Sequence, residues 1–422
     1  MFVNERIKRA TQAMCGLAMA LSLAGCGRLQ ALVDPPTPRP PAPTDFAPAV
    51  TPDSMRVAEV FEATETPTPL PAIATEAPPG RPPLAAGPTD VLPATLAPTR
   101  PPSPTRTPLP APTYAPLKTA LLRGFRFEQQ TFNNCGPATT AMLLSYFGRS
   151  ENQARVASVM RPNKDDKNVS PGEIADYAVS LGFGARVVIG ADLSMLRALL
   201  SNGLPVIVES WFIPKPNDEM GHYLLLKGYE DGVFLFDDSF HGENQREDAL
   251  AFDAMWKVFN RTVIVVWKAE QAGLARRLLG ARADDRAMRD LALAAARADI
   301  DANPQDKFAW FNAGSTLVQM GEFSRAARAF DTARGLRLPW RMLWYQFGPY
   351  EAYFGAREYA TLIQLATQTL SITNGLEESH LWRGRGYQAQ GKTGDARTEF
   401  EAALKDNANF APARDALKAL GG

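Results

Sequence analysis

The chain has 422 residues, 45% of them hydrophobic, and its 45 Lys+Arg are balanced by 45 Asp+Glu. That length supports more than one hydrophobic core, since single cores stop growing at roughly 250–300 residues. A net charge of zero without any Lys/Arg run supplies no field for polyanions, so no nucleic-acid partner is expected.

The chain opens on a basic segment with Arg6, Lys8 and Arg9, followed from Ala13 to Leu23 by an apolar run too short to span a bilayer. This run ends in Leu23-Ala24-Gly25-Cys26. Small residues directly before a cysteine resemble the lipobox of bacterial lipoproteins. The resemblance implies that residues 1–25 are a signal peptide, that Cys26 carries the lipid, and that the protein works on the extracytoplasmic face of the membrane. The lipid anchor would be its sole membrane contact. Of the three cysteines, Cys15 leaves with the signal and Cys26 is acylated, so Cys135 remains as a lone thiol. A leftover cysteine in an exported protein either pairs between molecules or is reactive.

Residues 26–116 are dominated by Pro, Thr and Ala, as in Pro101-Pro102-Ser103-Pro104-Thr105. Such a composition cannot bury enough surface to fold and favours extended polyproline-like conformations. Roughly 80 residues at about 3.1 Å each give a spacer reaching at most about 250 Å.

Residues 117–268 carry an α+β pattern. Helical periodicity is clear over Ala138–Tyr146 and Pro171–Leu181, with Ser170 as the cap and Pro171 at the first helical position, and again over Leu193–Ser201. Strands are predicted at Pro205–Val208, at His222–Lys227, at Val233–Phe236 across a turn containing Asp231-Gly232, and at Thr262–Trp267.

Residues 269–422 are Ala-, Arg- and Leu-rich, with blocks beginning near Trp310, Trp344 and His380. The first block has Trp310, Ala313-Gly314, Leu317, Gly321, Phe323, Ala326, Phe330, Ala333 and then Pro339. The last has Gly384, Tyr387, Gly391, Ala396, Phe400 and Ala403. Both resemble tetratricopeptide repeats, in which small residues let paired helices cross closely. In the middle block Trp344, Gly348 and Gly355 fit while Tyr359 sits late, leaving its helix register open. The resemblance implies an all-α repeat domain that engages a protein partner.

Chemistry concentrates where Gln129-Gln130 and, shortly after, Asn134-Cys135-Gly136-Pro137 precede an apolar-periodic helix. A thiol at a helix N-terminus meets free backbone N–H groups and the positive end of the peptide dipoles, which stabilise thiolate. The base is sought among three histidines. His380 lies in the repeats and His241 in a polar loop, whereas His222 opens an apolar strand that can hold an imidazole rigidly, so His222 is chosen. Asp237 and Asp238 end the next strand and are both candidates to orient it. Gln129 or Gln130 supplies a side-chain amide for an oxyanion hole. Neither a cysteine pair nor two histidines at ligand spacing are present, so no metal is expected, and no cofactor is required.

Together these residues resemble the bacteriocin-processing peptidase-like family of papain-like cysteine peptidases. The pattern is a Gln six residues before Cys-Gly-Pro, then a Gly-His-Tyr strand, then an Asp after the following strand. The resemblance covers about residues 117–268. It implies a papain-like α+β domain with Cys135 as nucleophile, His222 as base, Gln129 as oxyanion donor, and a peptide or protein substrate. The tail Asp238-Ser239-Phe240-His241-Gly242 fits the family better than one starting at Asp237, although the family's Pro is missing, so Asp238 is chosen as the acid. The expected function is a membrane-anchored cysteine peptidase followed by tetratricopeptide repeats. Alternatives are an idle peptide-binding module on a repeat scaffold, and an amide hydrolase or transferase using the same triad. Better-known family members cut leader peptides after Gly-Gly while fused to a transporter; leader processing is not assumed for this chain.

Overall fold

The computed structural model describes residues 60–61, 115–163, 166–213, 219–373 and 375–421. Cys26, the signal segment and nearly all of the Pro/Thr-rich stretch lie outside these residues. Among those described, no helix is long and apolar enough to cross a membrane.

The first folded unit is built on an antiparallel sheet. Its strands are β1 (Ala120–Leu121), β2 (Gly184–Val188), β3 (Val206–Phe212), β4 (Met220–Glu230), β5 (Val233–Asp238), β6 (Gly242–Asp248) and β7 (Val263–Trp267). They lie in the order β2-β7-β3-β4-β5-β6, and β1 pairs with the far end of β4. Alternation along the strands sends side chains into two cores. Ile207, Tyr223, Leu225, Ile264 and Val266 meet α1 (Cys135–Tyr146), α2 (Gln153–Met160) and α3 (Pro171–Ser180) on one face. Val206, Val208, Leu224, Leu226, Val263 and Val265 meet α4 (Leu193–Ser201), α5 (Ala249–Lys257) and α6 (Ala272–Leu279) on the other.

Local chemistry explains most of these elements. The Ser170 side chain accepts from the Glu173 N–H while Glu173 reaches back to the Ser170 N–H, a full capping box with Pro171 inside it. Asp192 and Asn152 cap α4 and α2 by accepting from the N–H groups of Met195 and Arg155. Asp231 and Gly232, at φ 48° and 83°, form the two-residue turn that joins β4 to β5. Strand β6, by contrast, reads Gly-Glu-Asn-Gln-Arg-Glu-Asp and has no apolar face to betray it. It is an edge strand, where charged residues discourage further pairing.

The second unit is helical. After α7 (Asp285–Ala302) come α8 (Lys307–Gln319) with α9 (Phe323–Gly335), and α10 (Met342–Tyr345) and α11 (Gly348–Gly355) with α12 (Tyr359–Thr373). They are followed by α13 (Glu377–Ala389) with α14 (Thr393–Asp406), and by α15 (Ala411–Ala419). Gly314 and Gly384 give their pairs close crossings: a Cβ there would lie 2.8 Å and 2.5 Å from the rings of Phe330 and Phe400. The middle block departs from this regularity because its first helix is broken. Gln346 is extended (φ −133°, ψ 107°) and separates α10 from α11, which is why its register was not readable from spacing.

Gly355 shows how tightly the repeats interlock, since a Cβ there would fall 2.2 Å from Cγ of Phe323, whereas one on Gly394 would meet nothing within 4 Å. Gly355→Ala is expected to destabilise by about 2 kcal/mol, and Gly394→Ala not at all, as read from denaturant midpoints. Equal midpoints for the two variants would contradict this packing.

The two units are fastened to each other. Arg261 joins Asp253 on α5 to Asp299 on α7, with both ion pairs at 2.7 Å. Asn312 donates to the Lys257 carbonyl at 2.7 Å and Asn260 to Thr316 at 3.0 Å. Val60 and Phe61, within the Pro/Thr-rich stretch, are seated on the repeats, with Phe61 against Trp310 and under Arg297.

Candidate active site

Cys135 is the first residue of α1, and Asn134 stands before it in the cap position. The approach is fixed by a polar hub. Gln153 accepts from the Thr131 N–H (2.7 Å) and the Asn134 amide (2.9 Å), and donates to the Gln129 carbonyl (2.7 Å). Asn133 adopts φ 53°, a conformation Asn tolerates better than most residues. Arg161 grips the turn from behind through the Asn133 carbonyl and the Asn134 side chain. Neither Gln153 nor Arg161 could be picked out from spacing or motif, because their partners on the turn lie about 20 to 30 residues away in the chain.

Gly136 lets the helix start press against its surroundings, since a Cβ there would be 3.2 Å from Val169. Thr139 donates to the Tyr223 carbonyl, tying α1 to β4. The result sets the half-buried Cys135 sulfur against His222, with the backbone N–H groups of Gly136 and Tyr223 directed at it.

His222 is 3% exposed and stacks on Phe212 with ring centroids 4.9 Å apart. Its Nε2 lies 2.8 Å from Oδ1 of Asp238, so Nδ1 is the nitrogen left for sulfur. Asp238 also accepts from the backbone N–H groups of Phe240 (2.7 Å) and His241 (3.1 Å), and its Oδ2 lies 2.9 Å from Nδ1 of His241. Asp237 is engaged elsewhere: it holds Lys227 at 2.5 Å and accepts from the Asn244 N–H.

A β-bulge decides between the two aspartates. Counting back from the Asp231-Gly232 turn, a regular hairpin would set Asp237 opposite Leu226, on the face of His222. The register shifts between Leu226 and Gly228, and the pairs become Leu225↔Asp237 and Leu224↔Asp238. Asp238 thereby shares the face of Leu224 and His222, while Asp237 turns to the other.

Gln129 is exposed and donates to the Phe240 carbonyl at 2.7 Å. Gln130 is bound to Ser239 through its backbone N–H and its side-chain oxygen, both at 2.8 Å. Both glutamines are thus stitched to the segment after Asp238, and the Gln129 amide, with one proton on the Phe240 carbonyl, has a second for another acceptor, as does the Gln130 amide. His380, by contrast, pairs with Glu399 in the repeats. His241 reaches the Asp238 carboxylate from the solvent side.

Burial alone would raise the Cys135 thiol and lower the His222 imidazole, since each charged form loses its water. The hydrogen bond and charge of the partner win in both cases. Cys135 lies below the ordinary thiol value, helped by the two backbone N–H groups. His222 is pushed up to about 10 by Asp238 and the sulfur. Asp238, despite its own burial, is held well below the usual carboxylate range by His222 and His241. The site therefore favours a thiolate beside an imidazolium at neutral pH.

Glu209 lies opposite Tyr223 on β3 and is 4% exposed, with Oε2 lacking any hydrogen-bond partner. Burial, with the Cys135 charge nearby, raises its pKa well above normal. A raised acid contributes its stability below the unfolded value of 4.5 and loses it as pH climbs. Glu209→Gln is expected to gain about 2 kcal/mol over the wild type on going from pH 5 to pH 8. Thermal unfolding at both pH values checks this, and a constant difference would refute it.

A cysteine at a helix start, a buried histidine on the adjoining sheet and a carboxylate behind it make the arrangement of a papain-like cysteine peptidase domain, here followed by tetratricopeptide-like helical repeats. Residues 123–264 match the Peptidase_C39 like family. Among solved structures, the peptidase domain of Streptococcus ComA, a bifunctional ABC transporter of a quorum-sensing pathway, is 21% identical. The match covers 35% of this chain and 99% of that one, with a TM-score of 0.29. A double glycine motif protease from an AMS/PCAT transporter, solved with its leader peptide, is 17% identical over 37% of this chain and 99% of that one, at TM-score 0.30. A thermophilic tetratricopeptide protein of Thermus thermophilus is 22% identical over 32% of this chain and 73% of that one, at TM-score 0.27. No curated protein matches the chain.

Proposed function

We propose that this protein is a lipid-anchored, extracytoplasmic cysteine peptidase that hydrolyses peptide bonds through Cys135, His222 and Asp238. The observation that carries this reading is the chain of contacts from the half-buried Cys135 through the buried His222 to Asp238. The match of residues 123–264 to a peptidase family supports it.

In the proposed reaction the Cys135 thiolate attacks the carbonyl carbon of the scissile peptide. The oxyanion is held by the Cys135 backbone N–H, which has no acceptor inside its helix, and by the side-chain amide of Gln129. The His222 imidazolium then gives its proton to the leaving amine as the C–N bond breaks, leaving a thioester. Neutral His222 takes a proton from water, hydroxide adds to the thioester, and the thiolate departs with the carboxylic product formed. Asp238 keeps the imidazole oriented and stabilises its charge throughout. The Cys26 anchor and the Pro/Thr-rich spacer would hold this site outside the membrane.

The test is digestion of a peptide library by the protein beside its Cys135→Ala variant, with new termini identified by mass spectrometry. Termini made by the wild type and absent with the variant support the reading. Identical products from both, or none from the wild type, would sink it.

A further inference from the structure

The repeats meet the catalytic unit at several points. Phe308 on α8 lies edge-on to Trp211, with centroids 5.9 Å apart. Asn312 and Thr316 on the same helix bond to Lys257 and Asn260. From α13, Glu378 accepts from Asn168, two residues after the Asp166 carbonyl held by the same Arg161 that grips the Cys135 turn. Between these contacts stands Tyr345, the last residue of α10, at the break in the middle repeat. The irregular block is therefore the one that reaches the site.

The target of Tyr345 is Gly221, the residue before His222 and two before Tyr223. A Cβ on Gly221 would lie 3.1 Å from Cγ of Tyr345 and 3.0 Å from the Phe259 ring. A residue without a side chain here lets an aromatic ring lie directly on the strand backbone. That short backbone segment carries both the imidazole and the Tyr223 N–H directed at sulfur. On β3, Gly221 is paired with Trp211, which belongs to the same apolar cluster as the repeats. Tyr345 thus closes one side of the strand whose position sets the Cys135–His222 contact.

We infer that Tyr345, supplied by the repeats, is a positioning residue of the cysteine site: its ring holds Gly221–Tyr223 in the place that sets the His222 imidazole against the Cys135 sulfur. The inference rests on the proposed peptidase reading and extends it, since it makes the repeat array a working part of the catalytic unit. Cys135 faces His222 and Tyr223 of β4, Glu209 of β3 and Tyr345 of α10. Of these, His222 supplies the charge that favours thiolate, and its position depends on the strand Tyr345 braces.

The experiment compares the full chain carrying Tyr345→Ala or Tyr345→Phe with the wild type. Alkylation of Cys135 by iodoacetamide is followed across pH, and kcat and KM are measured on a peptide cleaved by the wild type. Tyr345→Ala is expected to move the alkylation midpoint up by about one pH unit, a roughly tenfold slower reaction at pH 6.5. Its kcat should fall about tenfold with KM within about twofold. Tyr345→Phe keeps the ring on Gly221 and gives up only the hydroxyl that meets the Gly221 N–H, so its midpoint should move by less than about 0.3 unit and its kcat by less than about threefold. Should the Ala variant fail to fold, Tyr345→Leu replaces it, with an intermediate shift expected. A wild-type alkylation profile in the Ala or Leu variant overturns the inference, as does an equal change in the Ala and Phe variants. An ordinary thiol midpoint in the wild type would instead overturn the peptidase reading, so the two failures are distinguishable.

Discussion

His222→Ala is expected to lower kcat/KM for peptide hydrolysis by about 10⁴-fold while leaving the fold intact. Two losses combine. The general acid and base disappears, which alone is worth about 10²–10⁴, and Cys135 loses the hydrogen bond and charge that outweigh its burial. Its thiol should then titrate above the ordinary value, because desolvation remains unopposed except by two backbone N–H groups. The fold survives because Asp238 retains three donors, the N–H groups of Phe240 and His241 and the His241 ring. Circular dichroism close to that of the wild type together with this loss is the expected result. Retention of more than about a tenth of wild-type activity would exclude His222 from the reaction.

The two adjacent aspartates should behave differently. Asp238→Ala removes the group that orients His222, and kcat/KM is expected to fall about 10³-fold. Asp238→Asn should cost only about tenfold. An Asn oxygen in the place of Oδ1 still accepts from His222 and from the two backbone N–H groups that meet that atom. The carboxylate's charge is lost, so His222 titrates lower and the alkaline limb of the pH profile moves down. Asp237→Ala should leave the pH profile unchanged and cost about 3 kcal/mol of stability, since it strands the buried Lys227. Steady-state kinetics and denaturant unfolding of the three variants separate these outcomes. A loss of activity with Asp237→Ala matching that of Asp238→Ala would contradict the assignment.

The proposed site residues stood out in the sequence because they lie beside strong local signals: a cysteine opening an apolar helix, and a histidine opening an apolar strand. The scarcity of histidine, three in the chain, left few competitors. The choice of Asp238 came from its resemblance to a family tail, and its physical basis stayed hidden. The bulge between Leu226 and Gly228 that rotates Asp238 onto the face of His222 leaves no mark in the alternation of Leu224, Leu225 and Leu226. Strand β6 and helix α2 escaped for a related reason, since their burial is partial and their pattern largely polar.

The repeats were legible where Gly and Phe stand at fixed separation, as in Gly314–Phe330 and Gly384–Phe400, whose close contact is what that spacing encodes. The middle block was not, because Gln346 breaks its first helix to deliver Tyr345 to Gly221. That contact is long-range and has no counterpart in local sequence. The association of the two units through Arg261, Asn312 and Asn260 was equally unreadable, as each is an ordinary polar residue until its partner is known.

The most direct test of the account is the rate of Cys135 alkylation by iodoacetamide as a function of pH, with the modified peptide identified by mapping. The account predicts that the rate rises with a midpoint below the ordinary thiol value and that His222→Ala moves this midpoint above it. The same midpoint in both proteins, at or above the value for a free cysteine, would contradict an ion-paired nucleophile.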